Sequence, residues 1–453
     1  MTIASQLDSP NHGGPTRIMN VCVVALGKIG LPLAVQFAKS GFDVTGADIN
    51  PEVVDLVNLG LVPFPGEENL KEFLGEVVAD RSLRATTDTT AAVGNADVVL
   101  VVVPLIVDAD GRPDFRGIDA AASAVAAGLK PGALVLFETT FPVGTTRSRL
   151  APILSQGSGL TVGTDLFVAF SPERVYSGRI FADLRRYPKL VGGLDTASTR
   201  RAADFYSKAL QFDARPDLSR PNGVWEMDSA ETAELAKLAE TTYRDINIGF
   251  ANELAMFSDK HDIDVTAVIE ACNSQPFSHI HRPGIAVGGH CIPVYPKFYL
   301  DGDPDAQLPA TARKVNMAMP RYAVQRLADE LGTLQNLHVA VLGAAYRGGV
   351  KETAFSGVFG VVEAIAEFGG RASVHDPLFT DDELTQLGFV PYHLGEHCDA
   401  AILQAEHQEY RHLQQHDLGG ARMLLDGRGC VDPTSDLTIV QLGVGRPASS
   451  GSN

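Results

Sequence analysis

The sequence predicts an α/β protein: two doubly wound domains with parallel sheets, joined by a long central helix and a helical middle domain. Three observations lead there. Short apolar, β-branched runs alternate with amphipathic stretches near both ends of the chain. Residues 229–261 are almost free of helix breakers. The length of 453 residues exceeds what one hydrophobic core organises.

The first unit of this grammar is "IMNVCVVALGKIGLPLAVQFAKSGFDVTGADIN". Val21 to Ala25 reads as a buried parallel strand, and Gly27 and Gly30 bracket a tight turn. "LPLAVQFAKS" has helical periodicity and stops at Gly41. "FDVTGAD" is a second strand ending in Asp48. Further strands are expected at 97–103, 133–139 and 166–170. From Ser229 to about His261 the chain is rich in Ala, Leu and Glu, with Gly249 the only glycine and no proline. As one helix it would run roughly 50 Å, which suits a connector between domains or a dimer seam. The pattern then repeats: strand "NLHVAVLG", helix "SGVFGVVEAIAEFGG" and strand "RASVHDP", with further strands in "DAAILQAEH" and "LTIVQLGVG". The predicted division is a tail at 1–17, a first domain at 18–213, a helical middle at 214–332, a last domain at 333–445 and a tail at 446–453.

Composition narrows the function. The net charge of −18 repels nucleic acid and anionic membrane, so an anionic substrate needs a local basic pocket. No apolar run reaches transmembrane length, and the N-terminus lacks the apolar core of a secretory signal. The five cysteines, Cys22, Cys272, Cys291, Cys398 and Cys430, form no CxxC pair, which fits a reducing cytoplasm. His279 and His281 in "SHIHRP" have no acidic ligand nearby, so no metal site is expected.

Two places carry chemistry. At Ala25-Leu26-Gly27-Lys28-Ile29-Gly30 the glycine fingerprint of a dinucleotide site lacks its first glycine. Gly27 would let backbone approach a pyrophosphate, and Gly30 would let helix and strand pack closely. Asp48, 18 residues past Gly30, would accept hydrogen bonds from ribose hydroxyls and repel a 2′-phosphate, favouring NAD over NADP. The second place is "GGHCIPVYP", where Cys291 follows two glycines and a histidine. A buried structural thiol needs only apolar neighbours, whereas glycine, histidine and proline around one thiol suit a nucleophile in a fixed loop. The other four cysteines read as structural, and His290 as a loop histidine. "FETTFPVGTTR" and "AFSPERVYSG" each follow a strand, where such sheets build sites, and on the long helix Lys237, Thr241, Asp245 and Asn252 share one face.

Over about residues 18–445 the chain resembles the UDP-glucose/GDP-mannose dehydrogenase family of nucleotide-sugar 6-dehydrogenases. The segments that carry this, in family order, include "ALGKIGLPLA", "VVVPLIVDADGRPD", "ETTFPVGTT", "SPERVYSG", "ELAKLAETTYRDINI", "PGIAVGGHCIPVYP", "HDPLF" and "DAAILQAEHQEY". "SPERV" and "RPGIAVGGHCIPV" are most similar to the branch acting on UDP-N-acetylmannosamine or UDP-N-acetylglucosamine. The resemblance implies an N-terminal NAD-binding Rossmann domain, a C-terminal Rossmann-like UDP-binding domain and a homodimer or higher homo-oligomer built on the long helix. It implies oxidation of a UDP-sugar C6 alcohol to the uronate with two NAD⁺, through a thiohemiacetal and a thioester on Cys291. It assigns Lys237 to developing alkoxide charge, Glu173 to water activation and Thr140 to holding a water. Gly27, Lys28, Ile29, Gly30, Asp48, Pro104 and Thr140 line the cofactor; Arg282, Gly288, Gly289 and Arg347 serve the substrate. The two glycines are expected to clear space for the sugar.

Three departures stand beside it. Thr241 occupies the place of a family asparagine; its hydroxyl can donate to an oxyanion over a shorter reach. Tyr295 replaces an aspartate, leaving base duty to Glu173, a water held by Lys237, or His290. Ala354 replaces an arginine, for which Lys351 is a substitute. The changes at Ala25, Thr241 and Tyr295 keep open a catalytically weakened homologue that binds NAD and UDP-sugar in a regulatory role, and UDP-glucose stands as an alternative substrate. A two-electron 2-hydroxyacid dehydrogenase is disfavoured, because its chemistry needs no thiol.

Overall fold

The computed structural model describes residues 19–108, 111–432 and 435–444; the predicted tails lie outside them. It divides into two compact units, one of residues up to 106 with 114–235, the other of 107–113 with 236 onward.

The first unit is built on eight strands: β1 (Asn20–Val24), β2 (Asp43–Ala47), β3 (Leu83–Thr86), β4 (Val98–Val101), β5 (Ala133–Phe137), β6 (Leu166–Phe170), β7 (Lys189–Gly193) and β8 (Val224–Glu226). Their order across the sheet is β8-β7-β6-β5-β4-β1-β2-β3. The strands expected from the sequence are present: 166–170 has the expected bounds, β1 begins and ends one residue earlier, β2, β4 and β5 are shorter, and β3, β7 and β8 are additional. The expectation of a parallel sheet needs one correction: β6 and β7 pair antiparallel, through Ala169 with Gly193 and Phe170 with Gly192. The short loops, turns and helix after β6 return the chain without a crossover, which antiparallel neighbours permit. The strand order reverses between β1 and β4, and the glycine turn follows β1, the place where open α/β sheets leave a crevice. Helix Gly30–Lys39 lays Leu31, Leu33, Val35 and Phe37 into the core, and Phe37 meets Phe205 of helix Thr196–Ala209 edge-on at 5.2 Å.

The second unit carries a five-stranded parallel sheet: β9 (His338–Leu342), β10 (Arg371–His375), β11 (Ala400–Leu403), β12 (Leu424–Asp426) and β13 (Ile439–Gln441), in the order β10-β9-β11-β12-β13. Both faces are covered, and the central strands β9 and β11 are buried apolar runs, HVAVL and AAIL. On one side Met319, Val324 and Leu327 of helix Gln307–Leu331 pack with Val358, Val361 and Ile365 of helix Gly357–Glu367. On the other lie Tyr392, Tyr410, Leu413 and Leu418. Helix Ala230–Lys260, 31 residues long, passes from the first unit into the second, as its lack of breakers predicted. Asp245 and Asn252, on the face singled out above, are fully buried and fasten it to helix Gln307–Leu331: Asp245 accepts from Arg313 and Asn316, and Asn252 donates to Asn316 at 2.8 Å. Those two residues are structural, which separates them from Lys237 and Thr241 on the same stripe. Among the described residues no helix is long and apolar enough to cross a membrane.

Candidate active site

In the first unit the turn after β1 has the shape of a phosphate cradle. A Cβ on Gly30 would sit 1.9 Å from the Ala25 carbonyl oxygen, so only glycine allows the helix to start this close to the strand. Around Gly27 a Cβ would meet nothing within 4 Å, leaving exposed backbone open to a ligand. Ile29 gives the helix no side-chain cap; the Leu31 N–H is bonded to the Gly27 carbonyl at 3.1 Å, and Pro32 has no N–H to offer. The Asp48 carboxylate accepts from the Leu26 N–H at 2.7 Å and from the Asn50 N–H at 2.9 Å, fixing the turn to the end of β2. Ala25, where the fingerprint has its first glycine, adopts φ +77°. The turn therefore keeps its left-handed geometry at some backbone strain. Exposed Gly27 and Lys28, uncapped helix start and placed carboxylate together fit a dinucleotide pyrophosphate and ribose.

Pro104, exposed, follows β4, and Thr140, buried, follows β5. Their loops are tied by the Thr139 hydroxyl, which donates to the Val103 carbonyl at 2.6 Å. After β6, one Glu173 oxygen accepts from its neighbours' N–H groups, Arg174 at 2.6 Å and Val175 at 3.2 Å. The other meets the Lys189 ammonium at 2.8 Å, and that ammonium also lies 3.0 Å from Glu138. Lys189 was not singled out from the sequence. A lysine opening the apolar run "KLVGG" was the available signal, since such a position buries a charge that needs partners.

The second unit holds the thiol. Cys291 is exposed, while Cys22 and Cys398 are buried and Cys272 and Cys430 half-buried. Burial pushes the Cys22 thiol up to about 12, as befits an inert core residue. The loop before Cys291 rests on the turn after β9. A Cβ on Gly288 would lie 2.6 Å from the Tyr346 Cβ and 2.9 Å from the Phe355 carbonyl oxygen; Gly289, at φ +87°, donates its N–H to Ala354 at 2.8 Å. The glycines thus admit the Tyr346–Phe355 segment beside the thiol loop. From Cys291 the chain turns at once into helix Tyr295–Gly302, with the Tyr295 N–H bonded to the Cys291 carbonyl at 2.9 Å.

Lys237 is buried, its ammonium 5.9 Å from the centre of the Tyr295 ring. Thr241 is also buried, and its hydroxyl donates to the Lys237 carbonyl at 3.0 Å and the Leu238 carbonyl at 3.1 Å. That proton is engaged by the helix itself, so the substitute for asparagine is not a free donor here. Lys351 pairs with Glu383 at 2.6 Å, both side chains partly exposed. His290 is exposed, 3.7 Å from Glu352. Arg347 donates to the Tyr346 hydroxyl at 3.1 Å beside the thiol loop's contact, whereas Arg282 is exposed and lines a separate cavity with helix Val265–Asn273 and the Asp426–Gly429 turn. Sequence reading missed Arg428. It is largely buried and donates to the carbonyls of Gln404 (2.6 Å), Ala286 (3.3 Å) and Tyr346 (3.4 Å), so it binds the thiol loop to the sheet. The signal was a glycine-flanked arginine after the apolar "LLD", at the carboxyl end of a strand.

Comparison with known proteins agrees with these features. The UDP-glucose/GDP-mannose dehydrogenase family matches along the chain: its NAD binding domain at residues 19–210, its central domain at 231–318 and its UDP binding domain at 340–433. The chain belongs to this family. A UDP-N-acetyl-D-mannosamine dehydrogenase of Pyrococcus horikoshii is 34% identical over 424 residues, covering 91% of this chain and 96% of that protein. An NDP-N-acetyl-D-galactosaminuronic acid dehydrogenase of Ralstonia solanacearum is 32% identical, covering 90% and 95%. The solved UDP-D-ManNAc dehydrogenase of Pyrococcus horikoshii superposes with a TM-score of 0.83 at 30% identity, covering 94% of this chain and all of that one. The protein is thus an NAD-dependent dehydrogenase of the nucleotide-sugar class, and its cofactor is NAD.

Proposed function

We propose that this dehydrogenase oxidises the C6 alcohol of a UDP-N-acetylhexosamine, UDP-N-acetylmannosamine foremost, to the uronate in two successive steps on one active thiol. The carrying observation is Cys291: an exposed sulfur on a glycine loop seated against the UDP-binding domain, with buried Lys237 and half-buried Tyr295 in the same unit. NAD⁺, which the Gly27–Gly30 turn and Asp48 would hold, would supply the hydride acceptor for both oxidations. The Cys291 sulfur adds to the aldehyde carbon, its proton passing to the carbonyl oxygen, to give a thiohemiacetal. Loss of hydride and a proton converts this to a thioester. Water then adds to the thioester carbonyl, the C–S bond breaks, and carboxylate and thiol separate with release of a proton. In sum RCH₂OH, two NAD⁺ and one water give RCOO⁻, two NADH and three H⁺. A thiolate suits this role because it captures an aldehyde without the strong base a hydroxyl needs. The Lys237 ammonium stabilises negative charge on the sugar oxygen, and Glu173 takes the proton of the attacking water. Gly27, Gly30 and Asp48 hold the cofactor, and Arg347 contacts the substrate diphosphate. The active form is a homodimer along helix Ala230–Lys260.

The test uses purified enzyme, NAD⁺ and single sugars: UDP-N-acetylmannosamine, UDP-N-acetylglucosamine and UDP-glucose. Two NADH per UDP-N-acetylmannosamine, with no free aldehyde, is the expected result. One NADH per sugar sinks the thioester route. Faster turnover of UDP-glucose replaces the substrate. Binding of UDP-sugars without NADH formation favours the regulatory reading, to which the engaged Thr241 hydroxyl and Tyr295 lend support.

A further inference from the structure

Behind Glu173 lies a buried charge bridge that the proposed mechanism does not use. The Lys189 ammonium sits between two carboxylates, Glu138 at 3.0 Å and Glu173 at 2.8 Å. Lys189 and Glu138 are buried and Glu173 nearly so. The Tyr206 hydroxyl donates to the same Glu138 oxygen that faces Lys189, and the ammonium lies 4.8 Å from the Tyr206 ring centre. The second Glu138 oxygen, Oε2, is buried with no hydrogen-bond partner. Glu138 thus has two partners, the Lys189 ammonium and the Tyr206 hydroxyl, both on one oxygen. Other charged or titratable groups beside the bridge are Arg174, whose guanidinium donates to the Pro188 carbonyl, Asp183, which pairs with Arg179, and Tyr187.

We infer that Glu138 and Lys189 are positioning residues for Glu173: Lys189, anchored from behind by Glu138, holds the Glu173 carboxylate in one orientation and in its charged form. The inference rests on the reading of Glu173 as the group that takes a proton from water. Geometry supports it first. Two backbone N–H groups fix one Glu173 oxygen and Lys189 fixes the other, so the carboxylate cannot rotate away. Electrostatics agrees. Burial raises the Glu138 pKa, the Lys189 charge opposing this and the Glu173 charge adding to it. Burial disfavours the Lys189 charge, and the two carboxylates outweigh that penalty, holding its pKa above the usual lysine value. The pull of the Lys189 ammonium on Glu173 is thus shared with Glu138.

Sharing predicts shifts of opposite sign. Glu138→Gln removes the competing charge and the repulsion, so Glu173 ionises more easily. Lys189→Met removes the attraction, so Glu173 ionises less easily. The experiment is the pH dependence of kcat for full-length protein with NAD⁺ and UDP-N-acetylmannosamine. The acidic limb is expected to move down by about one pH unit in Glu138→Gln, to move up by about one unit or more in Lys189→Met, and to return near its original position in Lys189→Arg. A limb that stays put in Glu138→Gln, or moves the same way in both variants, overturns the inference. Should Lys189→Met fail to fold, as judged by NAD⁺ binding and circular dichroism, Glu138→Gln and Lys189→Arg decide the matter. Glu173→Gln separates the two claims. Undiminished turnover in that variant ends the reading of Glu173 itself. Inactive Glu173→Gln with an unmoved limb in Glu138→Gln ends only the positioning role.

Discussion

Arg313 meets the Asp245 carboxylate with two guanidinium nitrogens inside the second unit, both side chains almost wholly buried. Burial raises the Asp245 pKa, against the pull of Arg313 and Asn316. Removing one member leaves a buried charge alone. Arg313→Ala should therefore lower unfolding stability by roughly 3–5 kcal/mol. Urea denaturation checks this; a loss under 1 kcal/mol would show that water reaches the pair and that it does not fasten the two helices.

Gly288 has no room for a methyl group against Tyr346 and Phe355. Gly288→Ala is expected to cost about 1–3 kcal/mol and to displace the Cys291 loop. Thermal melts and turnover report on both, and a variant with unchanged melting and unchanged kcat would mean that the contact does not set the loop.

Ala25 carries a left-handed backbone that an L side chain pays for. Ala25→Gly relieves strain of about 1–2 kcal/mol and gives back part of it as chain entropy, roughly 0.5–1 kcal/mol. A gain of about 0.5–1 kcal/mol with NAD⁺ affinity kept is the expected outcome, read by melting with and without cofactor. Destabilisation would show that the alanine methyl makes a contact worth more than the strain.

Tyr243, Phe250 and Phe257 recur every seven residues on helix Ala230–Lys260 and are 52%, 50% and 57% exposed. Such spacing keeps them on one face, an apolar stripe that the proposed dimer covers. Phe250→Glu should turn the dimer into monomers in light scattering after gel filtration. A wild-type chain that already runs as a monomer would refute the seam.

Much of this was legible in the chain. The glycine turn, Asp48 and the 31-residue helix follow from local patterns, because turns, helix breakers and β-branched runs act over a few residues. β7 and β8 were not anticipated: Lys189–Gly193 carries a charge and two glycines, and Val224–Glu226 is three residues long, so neither shows a strand pattern. Nor could periodicity show that Thr241 spends its hydroxyl on its own helix, or that Gly288 faces Tyr346, a partner 58 positions further along. The same limit hid Arg428 and Lys189, whose partners lie up to 142 residues away.

That distance also orders events during synthesis. Cys291 leaves the ribosome well before Tyr346, Ala354 and Arg428, the groups that shape its loop. A nascent chain therefore carries an unframed sulfur until the residues from Tyr346 to Arg428 emerge and fold, and translation stalled in that interval yields a polypeptide with a formed glycine turn but no ordered thiol loop.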